Sequence, residues 1–265
     1  MTEAAQTVLP VELMKAVPIT PELIDYVQQQ VEPLSAVQRR LIDRTRGLGQ
    51  SFEMQIPPEQ GQFLTLLAKS IGARSIVEVG TFTGYSTLAL ATGLEPGGQV
   101  VTCDLSDEWT AIAQEAWAQA GVADRIQLKL GPAADTLRAL PAEPVIDMAF
   151  IDADKVSYLE YWELLVPRIR PGGLLLADNV LYYGEAVAPD AVGNAKAIRE
   201  FNAHVLADDR VESVLLTIAD GLTIARKKPD PAGTSSPAAA SSSSTPAQSP
   251  GTGVRWRASR TSSST

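Results

Sequence analysis

Seven side chains stand out by type and spacing: Glu78, Asp104, Asp152, Asp154, Lys155, Asp178 and Asn179. Asp152, Asp178 and Asn179 offer three hard oxygen ligands with neither thiolate nor imidazole beside them. That set suits Mg²⁺, Mn²⁺ or Ca²⁺ and leaves positions open for a substrate. Asp-x-Asp and Asp-Asn pairs also occur in ordinary turns, so the pairs alone do not make a metal centre. Lys155, three residues after Asp152, would point into the same cavity; taken singly, a lysine is a solvated surface group. Asp104 lies 20 residues beyond Gly84, about the distance at which an acid after a second strand accepts hydrogen bonds from ribose hydroxyls.

These residues need elements to position them, and the pattern supplies a repeated unit. Short β-branched runs, Ser75–Val79, Gln99–Cys103, Arg125–Leu130, Met148–Ile151 and Gly173–Ala177, alternate with helical periods at 86–91, 108–120, 135–140 and 158–169. Near-continuous apolar strands between helices mean a parallel, doubly wound sheet covered on both faces, an α/β architecture. Two last runs, Val211–Ile218 and Leu222–Arg226, flank Asp220-Gly221, a hairpin signal that closes the sheet with an antiparallel pair. Helices are expected after Pro21, over 36–46, and around Phe63 to Ile71, forming a preface to the first strand. Glu78, Asp104, Asp152 and Asp178 each fall within two residues of a strand's carboxyl end, the edge where open α/β sheets bind ligands. An acid there can equally cap the next helix; four together favour a site.

The turn after the first strand, Val77 to Gly84, holds two glycines where a dinucleotide fold wants Gly-x-Gly-x-x-Gly. Thr81 and Phe82 stand where backbone would approach a pyrophosphate. A nucleoside cofactor without phosphates fits better, and S-adenosylmethionine is one whose sulfonium also prefers an acidic surrounding.

Composition narrows the class. The chain has 265 residues, one Cys, one His and a formal charge of -9. Cys103 alone cannot form an internal disulfide, and with His204 it is too few for the usual zinc sites. The acidic balance, with pI near 4.7, argues against nucleic acid or an anionic membrane as main partner. No apolar run reaches the roughly 20 residues a bilayer requires, and the first residues show no secretory pattern; a soluble cytoplasmic protein is expected. From Pro229 to Thr265, 30 of 37 residues are Ser, Thr, Pro, Ala or Gly, a composition that predicts a disordered tail. His204 and Cys103 are expected at the surface and in the core, Trp109 and Trp117 in packing, and 181–192 as a substrate lid.

Across roughly residues 13–228, the runs Met54–Leu64, Val77–Ser86, Phe150–Lys155, Arg170–Gly173, Asp178–Leu181 and Asp220–Thr223 resemble the cation-dependent class I O-methyltransferases of the caffeoyl-CoA and catechol type, most of all their bacterial branch. The resemblance implies a seven-stranded Rossmann-like sheet; with the tail set by composition, the expected division is an N-terminal segment 1–20, a methyltransferase domain 21–228 and the tail 229–265. It implies that Glu78, Gly80, Thr81, Ser86, Asp104 and Ala133 line the S-adenosylmethionine pocket. Ile56 would lie on the loop above, and Asp152 and Asp154 would face the cofactor. It matches Asp152, Asp178 and Asn179 to the metal ligands, Lys155 to the base, and Lys15 and Tyr183 to substrate contacts. A homodimer is implied as well.

The chemistry would then be methyl transfer to a hydroxyl of a vicinal dihydroxy aromatic, a caffeoyl-CoA-like ester or a secondary metabolite. Chelation would bring the phenol pKa from about 10 toward neutrality, and Lys155 would take the proton if burial and the cation depress its own pKa. Three rivals are weighed at this point: a nicotinamide-dependent oxidoreductase on the same sheet, a methyltransferase acting on nitrogen or nucleic acid, which neither the acid balance nor the oxygen-ligand set favours, and a non-catalytic binder of S-adenosylmethionine or another nucleoside.

Overall fold

The computed structural model describes residues 17–229; Lys15 and nearly all of the Ser/Pro/Ala-rich tail lie outside them. Among the described residues there are seven strands: β1 Ser75–Val79, β2 Gln99–Asp104, β3 Ile126–Leu130, β4 Ile146–Ile151, β5 Ile169–Asp178, β6 Val211–Leu216 and β7 Leu222–Lys227. Their order across the sheet is β3-β2-β1-β4-β5-β7-β6. The first five are parallel, and β7 pairs antiparallel with both β5 and β6. Eight α-helices accompany the sheet among the described residues: α1 Pro21–Gln29, α2 Ala36–Arg46, α3 Pro58–Ser70, α4 Tyr85–Gly93, α5 Asp107–Gln119, α6 Ala133–Ala139, α7 Tyr158–Leu165 and α8 Gly193–Ala207.

Strand alternation explains the two-sided core. Val77, Ala149 and Leu175 pack toward α6, α7 and α8, while Ile76, Met148, Phe150 and Leu176 face the opposite side with α2 to α5. Fully burying each large side chain stabilises by about 1.5–3 kcal/mol, so neither sheet face can be left to water. Sequence sets the helix starts: Ser35 and Gln38 form a reciprocal capping box at α2, and Ser106 caps α5 by accepting from the Trp109 N–H at 3.2 Å.

Several boundaries shift by a few residues from the sequence expectation, β5 beginning at Ile169 and α3 at Pro58 among them, and two of the differences have a clear backbone reason. The helix expected over 158–169 stops at Leu165, because Pro167 lacks an N–H to continue it. Its remainder is a single 3-10 turn, and β5 begins at Ile169, with a register shift against β4 between Ile146 and Met148. The hairpin connection is also wider than two residues: β6 ends at Leu216, and the turn projects toward the loop after β5. There the Val180 N–H donates to Gly221 O at 3.2 Å and the Leu181 N–H to Asp220 O at 2.9 Å. A Cβ at Gly221 would meet the Leu181 side chain at 2.5 Å. The Asp220-Gly221 turn thus clamps the segment carrying Asn179. No helix among the described residues is long and apolar enough to cross a membrane.

Candidate active site

Strand order reverses between β1 and β4, which are neighbours although distant in sequence, and helices leave to opposite sides there, opening a crevice at the carboxyl ends. A cavity of about 840 Å³ occupies that place. Its wall includes Ile56, Gly80, Thr81, Ser86, Asp104, Ala133, Asp152, Asp154, Lys155, Asp178, Asn179 and Tyr183. All of the sequence-derived site residues among the described ones therefore meet in one space, except Glu78, which lies beneath the wall and is fully buried.

None of the four strand-end acids caps a helix by its side chain. Asp104 accepts from the backbone N–H groups of Thr81 (2.9 Å) and Phe82 (2.7 Å) through Oδ2, and from Ser106 (2.8 Å) through Oδ1. A carboxylate has about four lone-pair sites, so one on Oδ1 remains for a ligand hydroxyl while the others shape the β1–α4 turn. Gly80 is required in that turn by close packing: its φ is +98°, and a Cβ there would lie 1.8 Å from the Asp152 carbonyl oxygen. The Asp152 N–H in turn donates to Val79 O at 2.8 Å, which fixes where the Asp152 side chain begins.

Beneath this turn, Glu78 Oε2 accepts from the hydroxyls of Thr87 and Thr102, and the oxygens of Thr81 and Thr102 are 2.5 Å apart. Because the one Thr102 hydrogen goes to Glu78, Thr81 must donate to Thr102. Its lone pairs are then left for the cavity. Burial pushes the Glu78 carboxyl up to about 7 against the pull of the Ser86, Thr102 and Thr87 hydroxyls. Its second oxygen, Oε1, is buried without a partner.

At the β4 and β5 ends the charge is unbalanced. Asp178 is 2% exposed, and burial, reinforced by the charge of Asp152, pushes its carboxyl up to about 7. Lys155 lies between the ligand-type oxygens: Nζ donates to Asn179 Oδ1 at 2.7 Å, Asp152 Oδ1 at 3.3 Å and the Tyr158 hydroxyl at 2.8 Å. An ammonium thus stands where the oxygens converge, which is the fit expected of a cation site made from hard donors. Asp154 borders the cavity with both oxygens engaged, by the Tyr161 hydroxyl (2.7 Å) and by Ser157.

Strain collects here too. The non-glycine residues with positive φ among the described ones are Phe82, Asn179, Tyr182, Tyr183 and Ala219, and every one borders the cavity. Such conformations cost on the order of 1–3 kcal/mol each and persist where surrounding structure enforces them. At the rim the Tyr183 N–H donates to Asp220 Oδ1 at 2.6 Å, and Phe82 meets Trp109 edge-on with centroids 5.0 Å apart.

Gln60, Tyr158 and Tyr161 belong to the site and escaped the sequence. Tyr158 had a usable signal, three residues after Lys155 at helical spacing; Gln60 had none. Trp109, expected in packing, borders the cavity, whereas Trp117 is core, its Nε1 donating to Gly84 O. Cys103 is buried, and desolvation pushes its thiol up to about 12. His204 is partly exposed and pairs with Glu163 at 2.7 Å. Glu163, His204 and Asp208 bring ligand-type atoms within 4.8 Å of one another. The Arg210 guanidinium fills that role already, donating to both Glu163 and Asp208 at 2.7–3.0 Å.

Residues 30–228 match the family model described as O-methyltransferase. A probable caffeoyl-CoA O-methyltransferase 2 of Dictyostelium discoideum is 40% identical over 210 residues, covering 77% of this chain and 91% of that protein. Caffeoyl-CoA O-methyltransferase 2 of Zea mays is 40% identical over 185 residues, 66% of this chain and 70% of its own. The O-methyltransferase from Bacillus cereus, solved in complex with SAH, superposes with a TM-score of 0.72 at 32% identity, covering 78% of this chain and 97% of that one.

Proposed function

This chain belongs to the O-methyltransferase family, and from that premise we propose that it moves the methyl group of S-adenosylmethionine to one hydroxyl of a vicinal dihydroxy aromatic held on a divalent cation. The family replaces the nicotinamide reading. The observation that carries the cation is the paired carboxylates Asp152 and Asp178 with Lys155 Nζ bridging Asp152 and Asn179. Asp152, Asp178 and Asn179 would hold Mg²⁺ or Mn²⁺, which when bound supplies the charge that lowers the pKa of the acceptor phenol from about 10.

The chain's own groups do the rest. Lys155 Nζ, once it has left its present partners and given its own proton to solvent, takes the acceptor proton as a neutral amine. The freed oxygen forms its bond to the methyl carbon as the carbon–sulfur bond breaks, leaving a neutral thioether. Asp104, Thr81 and Ser86 keep the donor's polar groups oriented, with Ile56, Gly80, Ala133 and Asp154 completing the wall and Glu78 acting from beneath it through the Thr102 and Thr81 hydroxyls. Orientation of this kind is worth roughly 7–11 kcal/mol in well-aligned systems. Tyr183, 70% exposed, and Tyr182 stand at the acceptor's entrance.

Charge favours one acceptor class over another. The described wall carries the carboxylates of Glu53, Asp104, Asp152, Asp154, Asp178 and Asp220 against Lys155 alone. A neutral or cationic catechol suits that mouth better than a phosphate-bearing coenzyme A thioester. A homodimer would cover Ile24, Tyr26 and Val27, which α1 leaves exposed. Transfer of a labelled methyl group across a catechol panel tests the activity: Mg²⁺-stimulated transfer, lost together with the stimulation in Asp152→Ala, is expected. Full activity in EDTA would remove the cation.

A further inference from the structure

Gln60 sits in the first turn of α3, fully buried on the cavity wall. Neither its Nε2 nor its Oε1 has a hydrogen-bond partner. A buried amide left unpaired destabilises a fold, and an apolar side chain of the same length would not carry that cost. A helix-capping role does not account for it either, because α3 begins at Pro57 and Pro58 with no side-chain cap. The residue cannot readily turn away. Its neighbour Gly61 lies so close to α4 that a Cβ would come within 2.8 Å of the Tyr85 ring, which fixes the backbone at this point. Gln60 shares the cavity wall with the buried Asp178 carboxylate, and its amide acts to favour that carboxylate's charged form although neither of its polar atoms completes a hydrogen bond.

We propose that Gln60 is a positioning residue for Asp178, its Nε2 closing onto the carboxylate when Asp178 turns to hold a divalent cation. The proposal rests on Asp178 being a ligand. Side chains that orient a metal ligand typically change metal affinity 10–100-fold when removed. They are kept for the loaded state, so the empty protein tolerates their loss.

The test is Gln60→Met, compared with wild type and Asp178→Asn by thermal unfolding of the metal-free protein and by calorimetric titration with Mn²⁺ alone. The expected outcome is a melting temperature raised by several degrees together with Mn²⁺ affinity lowered about 10–100-fold. In Gln60→Met/Asp178→Asn the loss should not add to that of Asp178→Asn, as the two act through one group. If wild type binds Mn²⁺, Asp178→Asn does not, and Gln60→Met binds as wild type, the role of Gln60 is overturned while the ligand assignment stands. A lower melting temperature in Gln60→Met would make the residue structural and overturn it equally. No Mn²⁺ binding by wild type, or binding unaffected by Asp178→Asn, would overturn the ligand assignment and this inference with it.

Discussion

Replacing Glu78 by Gln should stabilise the ligand-free protein at alkaline pH and do so less and less as the solution is acidified. Glu78 is fully buried, and desolvation lifts its carboxyl from 4.5 to about 7. A carboxyl raised on folding binds its proton more tightly in the native state. Its contribution to stability is therefore complete below pH 4.5 and disappears as pH rises through about 7. The full difference is about 3.4 kcal/mol at about 1.36 kcal/mol per pH unit, of which about 2.5 kcal/mol falls between pH 5 and pH 8. Gln cannot ionise, and its carbonyl can still accept from Thr87 and Thr102. Whatever fixed cost its amide brings is the same at every pH.

The gap in melting temperature between Glu78→Gln and wild type should accordingly widen by roughly 5–10 °C from pH 5 to pH 8, at about 2–4 °C per kcal/mol for a domain of this size. Thermal unfolding followed by circular dichroism at four or five pH values measures it, and the difference cancels every other group that titrates in both proteins. A gap that stays constant across the range would mean that Glu78 does not titrate there. The upward push of burial on the Glu78 carboxyl would then be refuted.

Three further outcomes follow from the site. Lys155→Ala should lower kcat by 10²–10⁴-fold, roughly the range of a lost general base, with S-adenosylmethionine affinity within about twofold by calorimetry; equal losses in both would make Lys155 structural. Among catechols, those that are neutral or carry an ammonium should show kcat/KM at least roughly tenfold above a coenzyme A thioester, each close charge contact at the mouth being worth about 1 kcal/mol or more. A preference for the thioester would refute the acidic-mouth argument. Gly80→Ala should lower stability by roughly 2–5 kcal/mol, since it adds overpacking against the Asp152 carbonyl to an unfavourable φ. A melting curve like that of wild type would mean that β1 and β4 separate there without cost.

The sheet and its acids were legible because their signals are local. An apolar run that ends in Asp shows both the strand and the edge at which a ligand binds, as at β2, β4 and β5. The side chain of Glu78 points beneath the wall because its partner in the β1–β2 register is Thr102, 24 residues away, and a single strand does not reveal which neighbour will receive an acid. Gln60 was less legible still: it lies in a helix, far in sequence from Asp178, and the stretch around it is ordinary for a helix start. The shortened α7 was readable at Pro167 and was missed because the apolar period continues through it.

Local rules fail together at one place, and that coincidence carries information of its own. Positive φ at Phe82, Asn179, Tyr182, Tyr183 and Ala219, orphaned polar atoms on Gln55, Gln60 and Glu78, and two carboxyls raised to about 7 all border or underlie one cavity. Elsewhere in the described chain such departures are sparser: buried atoms of Ser75, Arg168 and Asn202 also lack partners, but the positive-φ non-glycine residues all border the cavity, and the Glu163–Asp208–Arg210 group is balanced by its guanidinium. A fold that met only its own stability would relax these features one at a time, since each costs on the order of a kcal/mol or more. Their retention in a single crevice is what a surface shaped to hold a donor, an acceptor and a cation requires, because such a surface reaches its lowest free energy only when loaded.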